Sequence, residues 1–407
     1  MKASENSRVP ERLPWTVAFG NIALFIYAST SIFYIFPSGM PQIPDYILAL
    51  AMVMLLLGFM MRRESRFDVV FLYALGFGFF TFLINMIHFT ILPDPTFIKS
   101  SLYYIFNASV FVVTVFLMRR TPEKTWRVLY YGLVAAIILE LLYVECVPSL
   151  RGFRTTGTFF NPNQLAVWAL LASCMLVLLK ARARLNVFDL CLLLGLGYIQ
   201  TLSLSKAGLV CFGLLGVTLL VLPALTLRMR LAFLFACVLL LIFGFFEISR
   251  IETLLEQYQN IDQALSRLED IGGEEDDSLE GRGYNRIWQN PEFVIFGAGE
   301  GGYLRFAGFS KALEMHSGVG TLVFSYGVIG LTLFFMVLYA ILYKNSALVF
   351  CLVSILFLYG LTHQNIRFTP FWLFLGICYA HREIDFRPLA LQKTALYPPR
   401  AAPVRPA

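Results

Sequence analysis

The chain has 407 residues, of which 58% are hydrophobic and 14% charged, and its mean hydropathy is +0.70. A soluble domain carries about 25% charged residues, so this chain lacks the polar surface to cover itself in water, which excludes a water-soluble globular class. The formal net charge of +6 comes from basic residues spaced between apolar runs rather than gathered in one patch, so it reads as membrane topology, with no nucleic-acid partner.

In hydrocarbon every backbone polar group needs an internal partner, so apolar runs of about 17–25 residues read as helices. The runs place spans near 14–37, 44–61, 68–89, 98–118, 128–148, 163–180, 187–204, 207–225, 231–248, 318–343, 346–362 and 368–381. The expected fold class is therefore all-α, a polytopic transmembrane bundle of about 12 helices. Basic joints follow the even-numbered spans: Arg62, Arg63 and Arg66; Arg119, Arg120, Lys124 and Arg127; Lys180, Arg182 and Arg184; Arg228 and Arg230; Lys344. The tail after the last span adds Arg382, Arg387, Lys393, Arg400 and Arg405. The positive-inside rule places those joints and both termini in the cytoplasm. The first run is as long as a span and is followed by more, so it does not read as a cleaved signal peptide. Seven cysteines occur, six inside apolar runs and Cys146 near a span end, without CxxC or Cys/His spacing. They read as small core residues, with no disulfide framework, metal or cofactor implied.

The chain divides into spans one to nine (1–248), a large polar loop on the non-cytoplasmic side (249–317), spans ten to twelve (318–381) and a cytoplasmic tail (382–407). Ser249 followed by Glu252 matches a capping box, and Ile251, Leu254, Leu255, Tyr258, Ile261, Leu265 and Leu268 share one helical stripe. The loop is thus expected to open with an amphipathic helix that packs on the bundle or lies in the lipid interface. The acidic run 274–277 reads as a solvated turn. The glycine-rich Gly297-Ala-Gly299-Glu300-Gly301-Gly302 lacks the Lys-Ser/Thr of a phosphate-binding loop and reads as a tight backbone turn.

Cations placed on the outer side are the main chemical signal. Outward joints normally avoid Arg and Lys, yet Arg151, Arg154, Lys206, Arg282, Arg286 and Arg305 are all assigned there. If the spans converge, several could line one cavity, with guanidinium groups offering paired donors to phosphate oxygens and a lysine acting as a point charge. The alternative is that they snorkel to lipid headgroups or pair with the loop's own acids. Lys206 and Glu140 lie beside or within hydrocarbon, where charge is costly and is paired or functional; Glu140 could be a proton relay or the buried partner of a cation, and the partner reading is preferred. His316, two residues after Glu314, could take or orient the proton of a hydroxyl, or simply cap a helix. His363 lies near Arg367 and could hydrogen-bond across helices, while His88 and His381 read as structural.

Four segments together resemble the O-antigen ligase and Wzy-type polymerase superfamily of bacterial membrane glycosyltransferases. They are Arg154-Thr-Thr-Gly-Thr-Phe-Phe-Asn-Pro-Asn163; Ser203-Leu-Ser-Lys206; Gly281-Arg282 through Gly297-Ala-Gly-Glu-Gly301; and Glu314-Met-His316-Ser, followed by Tyr326-Gly-Val-Ile-Gly330. Each is loose alone, but they occur in the family's order from span five to span ten; the outer spans match only in number and hydrophobicity. The resemblance implies a GT-C-like bundle in the bacterial inner membrane with a periplasmic loop between spans nine and ten. It implies transfer of a glycan from an undecaprenyl-pyrophosphate carrier to an acceptor hydroxyl, without metal, cofactor or nucleotide sugar. By motif, Arg154 and Arg282 become pyrophosphate clamps and His316 the residue that activates or orients the acceptor; Lys206, Arg286, Arg151, Asn161 and Glu314 become substrate-binding. Two departures stand out: the family often has Arg where this chain has Lys206, and Arg282 or Arg286 could be the motif's arginine, the flanking Gly281 and Gly283 favouring Arg282. The expected activity is polymerisation of lipid-linked repeat units of an O-antigen, capsule or exopolysaccharide, together with a possible chain-length regulator. The alternatives are ligation of the glycan to lipid A-core and, from another class, a polysaccharide transporter or flippase, for which ionisable groups deep in the spans are expected.

Overall fold

The computed structural model describes residues 15–37, 39–62, 68–147, 154–181, 183, 185–222, scattered positions between 230 and 242, 279, 281–306 and 314–383. The expected ninth span, the amphipathic stripe at 251–268, the acidic run, Arg151 and both termini lie outside the described residues. Eleven of the twelve expected spans are helices: α1 Trp15–Thr30, α2 Ile43–Arg62, α3 Val69–Ile91, α4 Pro95–Arg120, α5 Pro122–Cys146, α6 Pro162–Lys180, α7 Val187–Ser203 and α8 Lys206–Val221, then α10 Gly318–Leu342, α11 Ala347–Gly360 and α12 Thr369–Glu383. A short α9, Asn285–Gln289, and two 3-10 turns lie between α8 and α10. No strand occurs among the described residues.

Five of these helices (α3, α4, α5, α6 and α10) are long and apolar enough to cross a membrane, and five more are shorter apolar helices. Their outward faces carry Leu, Val, Ile and Phe in the open, among them Leu56, Leu72, Phe79, Val217 and Phe350. That is the surface of a bundle whose solvent is lipid.

Local chemistry sets the helix starts. Proline opens α4, α5 and α6, where its missing N–H costs nothing. Asp94, Asn161, Ser205, Ser317 and Ser346 each accept a hydrogen bond from a first-turn backbone N–H, and Asn186 with Asp189 forms a full capping box on α7. α1 stops seven residues short of the expected 37. There Gln42 accepts from the backbone N–H groups of Ile35 and Phe36 and donates to Phe36 O, which stabilises a turn instead of a further helical turn.

α6 runs through the middle, with every residue from Leu165 to Leu179 buried, as expected of a helix apolar all round. The other main packings are α3 on α4, α4 on α12, α1 on α2 and α5, and α3 on α10. Phe77, Tyr104, Phe334 and Trp372 form an aromatic core, with Phe77 stacked on Trp372 at 5.8 Å and edge-on to Tyr104 at 5.5 Å. Directions alternate: Asp68 at the start of α3 meets Arg119 at the end of α4 and Tyr379 near the end of α12.

The glycine-rich segment has a structural task. α10 is broken at Gly327 (φ 62°), and the chain 294–299 lies in the break. The backbone N–H groups of Ala298 and Gly299 donate to Phe324 O and Ser325 O, and that of Val328 donates to Val294 O. A Cβ on Gly297 (φ 92°) would sit 2.2 Å from Ser325 O, so two backbones touch where side chains have no room. The expected tight turn is present, serving backbone packing.

Candidate functional site

The segment after α5 folds back into the bundle. Glu140, buried in α5, accepts from the Thr158 backbone N–H (3.0 Å) and hydroxyl (2.6 Å), and the cation partner expected for it is replaced by this threonine. Glu140 thus positions the strip that carries Arg154. Within the strip Arg154 Nε donates to Ser203 O at 3.0 Å, and an Nη donates to Asn163 Oδ1 at 2.9 Å. Those bonds join the start of α6 to the end of α7. Tyr34 packs on Phe159 at 5.0 Å and on Phe160 at 6.4 Å, so the α1–α2 turn is seated on the same strip.

α7 and α8 meet in a tight corner at Leu204, a non-glycine residue at φ 49°. A leucine in the left-handed region is costly and persists only where its surroundings demand it. Here the corner turns Ser205 into the cap of α8 and presents Lys206, exposed, at its first turn.

The opposite wall comes from the loop before α10. Arg282 donates to Thr362 O, His316 N–H donates to Arg282 O at 3.3 Å, and Tyr284 OH, bonded to Ser317 Oγ at 2.6 Å, ties the segment to Leu361 O. Glu314 binds Arg367 at 3.3 Å, and Arg367 also pairs with buried Glu300 and donates to Tyr303 OH at 3.2 Å. Burial alone would push the Arg367 guanidinium down, but Glu300, Tyr303 and Glu314 hold it well above its ordinary value, so it is a permanent charge. Glu300 further accepts from Tyr104 OH (2.9 Å) and Tyr326 OH (2.8 Å), and its backbone N–H donates to Asn85.

Arg154, Asn161, Lys206, Arg282, Glu314 and His316 all line one cavity of about 2170 Å³. Arg286 does not. It is 1% exposed, sits over the Phe306 ring at 5.9 Å, and burial pushes its guanidinium down. The expectation of a ligand-facing Arg286 is corrected, because α9 begins at Asn285 and turns this side chain into a satellite core of Ala298, Phe306, Met315 and Phe324, away from the cavity. Arg305 is likewise stacked among Phe97, Phe293 and Phe306 and donates to Ala298 O, so it stabilises the loop rather than lining the cavity. His88 binds Gly297 O at 3.1 Å in the same loop, a structural role as expected. His363 stacks on Tyr359 at 4.8 Å and its ring nitrogen meets Thr362 Oγ1 at 2.9 Å.

Sequence reasoning passed over four charged lining residues: Lys99, Arg119, which it read only as a topology signal, Arg367 and Asp45. Lys99 and Arg367 carry the same signal as the others, a cation beside an outward joint, but both are next to span ends. Asp45, in the first turn of α2, reads from sequence as ordinary helix-dipole compensation. Together the wall carries Lys99, Arg154, Lys206, Arg282 and Arg367 with two carboxylates (Asp45, Glu314), while Arg119 lies near the opposite end, paired with Asp68. It is also lined by first-turn residues of α2, α4, α6, α8 and α12. Each such end contributes about half a positive charge, so helices and side chains act together on an anion. Towards the other end the wall becomes Met52, Val53, Leu56, Val112, Val113 and Phe116, an apolar groove between α2 and α4. A polar, positive pole continuous with an apolar groove is matched by an amphiphile with an anionic head. The chain matches no protein-family model, and the search of the curated proteins finds no match.

Proposed function

We propose that the chain is a glycosyltransferase of the bacterial inner membrane, joining undecaprenyl-pyrophosphate-linked oligosaccharide repeat units of an O-antigen, capsule or exopolysaccharide at the periplasmic face. The observation that carries this reading is the single cavity that gathers Arg154, Lys206, Arg282 and His316 at its positive pole and continues as an apolar groove. The diphosphate fits the pole and the prenyl chain fits the groove. In the reaction the acceptor hydroxyl oxygen attacks the anomeric carbon, the bond from that carbon to the pyrophosphate oxygen breaks, and the departing charge is received by fixed cations. Arg154 and Arg282 are held in place by backbone carbonyls, so their donors are aimed before the ligand arrives. His316, next to Arg282, orients the acceptor. Under this reading both termini are cytoplasmic, the loop before α10 is periplasmic, and the bundle is a GT-C-like scaffold.

The cavity also reaches Phe71 and Arg119 near the opposite end, which favours a second reading, a flippase for the same lipid. The apolar middle suits a prenyl chain better than a saccharide crossing the bilayer, which ranks transfer first. Deletion of the gene separates the readings. Loss of the polysaccharide ladder to single capped units supports polymerisation, long chains left on the carrier indicate ligation to lipid A-core, and unextended carrier trapped on the cytoplasmic side indicates the flippase.

A further inference from the structure

We propose that Asp45 is a second catalytic group of this cavity, the carboxylate that receives the proton of the acceptor sugar's hydroxyl. The inference rests on the glycosyl-transfer reading above.

Two carboxylates line the cavity, and they differ in what holds them. Glu314 is bound to Arg367. Asp45 makes no ion pair among the described residues; its Oδ2 accepts from the backbone N–H of Gln42 at 2.6 Å. It is half-buried on the cavity wall, so it has one oxygen occupied by the chain and another available to a ligand. A base in a cavity rich in cations has to avoid being neutralised by them, and Asp45 meets that condition where Glu314 does not.

Its surroundings suit a sugar. Tyr27 and Tyr34 from α1 and its following turn, and Tyr103 from α4, line the same cavity, and Lys99 is one helical turn before Tyr103 on that wall. Saccharides are recognised by aromatic faces against their C–H surfaces and by carboxylates or amides accepting from their hydroxyls. Tyr34 and Tyr46 line the cavity with Asp45 and supply the aromatic faces, and Asp45 itself the carboxylate. The α1–α2 and α4 wall contributes neither Arg154 nor Arg282, which come from the α5–α6 strip and the loop before α10. In an in-line displacement the incoming hydroxyl approaches from the other side. The proton then leaves the acceptor oxygen for Asp45 as the glycosidic bond forms, and the bonding pair of the broken C–O bond departs with the pyrophosphate.

Asp45→Asn tests this cleanly, because the amide oxygen can still accept from Gln42 N–H while the base is lost. The substrate is the lipid-linked saccharide extracted from host membranes deleted for this chain, and undecaprenyl pyrophosphate alone is the binding probe. Expected for D45N are a fall in kcat of at least about 100-fold, a Kd for undecaprenyl pyrophosphate within about twofold of wild type, an unchanged thermal midpoint, and partial recovery of turnover in Asp45→Glu. Turnover of D45N near wild type overturns the role of Asp45 and leaves the glycosyltransferase reading standing. Loss of probe binding or a lowered midpoint in D45N overturns it in favour of a structural role. A wild-type protein that makes no product from the extracted lipid overturns both readings at once.

Discussion

Replacing Glu300 by Gln perturbs the anchor of the whole loop before α10. The Glu300 side chain is fully buried; it pairs with Arg367 and accepts from two tyrosine hydroxyls at 2.9 and 2.8 Å. Glutamine keeps the shape but removes the charge, leaving Arg367, whose side chain is 19% exposed, facing a neutral amide that donates as well as accepts. Breaking one partner of a buried pair costs about 3–5 kcal/mol, because the remaining charge is left uncompensated. An amide oxygen that keeps both tyrosine hydroxyls turns its NH2 toward the guanidinium, donor against donor, which keeps the expected loss in that range rather than below it. Equilibrium unfolding in mixed micelles, followed by tryptophan fluorescence, measures it, with Arg367→Gln and the double variant completing a cycle. The double variant should lose less than the sum of the singles by about 1.5 kcal/mol or more. Single losses under about 1 kcal/mol, or additivity within about 0.5 kcal/mol, would refute the view that this pair holds the loop.

Other outcomes follow from the same geometry. Arg154→Ala and Arg282→Ala should each abolish glycan extension while the protein still inserts and accumulates, measured as the chain-length ladder beside immunoblot levels; normal ladders from both would end the site assignment. Arg286→Ala should instead lower unfolding stability by about 1–3 kcal/mol through lost packing under Phe306, while undecaprenyl pyrophosphate binding by the folded fraction, read by calorimetry, stays at the wild-type value. Glu140→Gln should retain most activity because one amide oxygen still accepts from Thr158, whereas Glu140→Ala, which strands the Thr158 N–H and hydroxyl, should cost about 1–3 kcal/mol and activity with it. A proton-relay role would be abolished equally by both. Gly327→Ala, which brings a Cβ within 2.3 Å of Ile295 O, should prevent accumulation of folded protein, read as loss of a monodisperse peak in size-exclusion chromatography.

Most of the bundle was legible because hydrocarbon leaves the backbone no option but the helix, and eleven apolar runs became eleven helices. The errors fall at ends, where apolarity stops being the deciding force. α5 begins at Pro122 rather than 128, since Lys124 and Arg127 are good helix residues that a hydropathy reading assigns to a joint. α1 ends early because Gln42, five residues past its expected terminus, captures the turn. For the site, outward cations broke the positive-inside pattern, and that was enough to pick Arg154, Lys206 and Arg282. It was not enough to separate Arg282 from Arg286, four residues apart. The difference between them is set by where α9 starts and by the position of Phe306, a tertiary fact. Glu300 was hidden for a similar reason. Inside a glycine-rich turn it looks like a surface acid, and its partners Asn85, Tyr104 and Arg367 are distant in sequence.

The two halves of the cavity are held by different means. Arg154 and Lys206 stand on helix ends: one bridges the start of α6 and the end of α7, the other occupies the first turn of α8. Helix ends in a packed bundle are rigid, so these cations need little further support. Arg282 and His316 belong to a loop, and a loop in water would leave them loosely placed. Here the loop is tied by buried groups, with Glu300 reaching into α3, α4 and α10 and gripping Arg367, which in turn holds Glu314, two residues from His316. Arg367 is therefore at once a wall of the cavity and the link between the loop's anchor and its functional end. A ligand that draws Arg367 toward a diphosphate competes with Glu314 for the same guanidinium, and releasing Glu314 frees the chain beside His316. On the glycosyltransferase reading proposed above, donor binding and the placement of His316 are coupled through that one side chain.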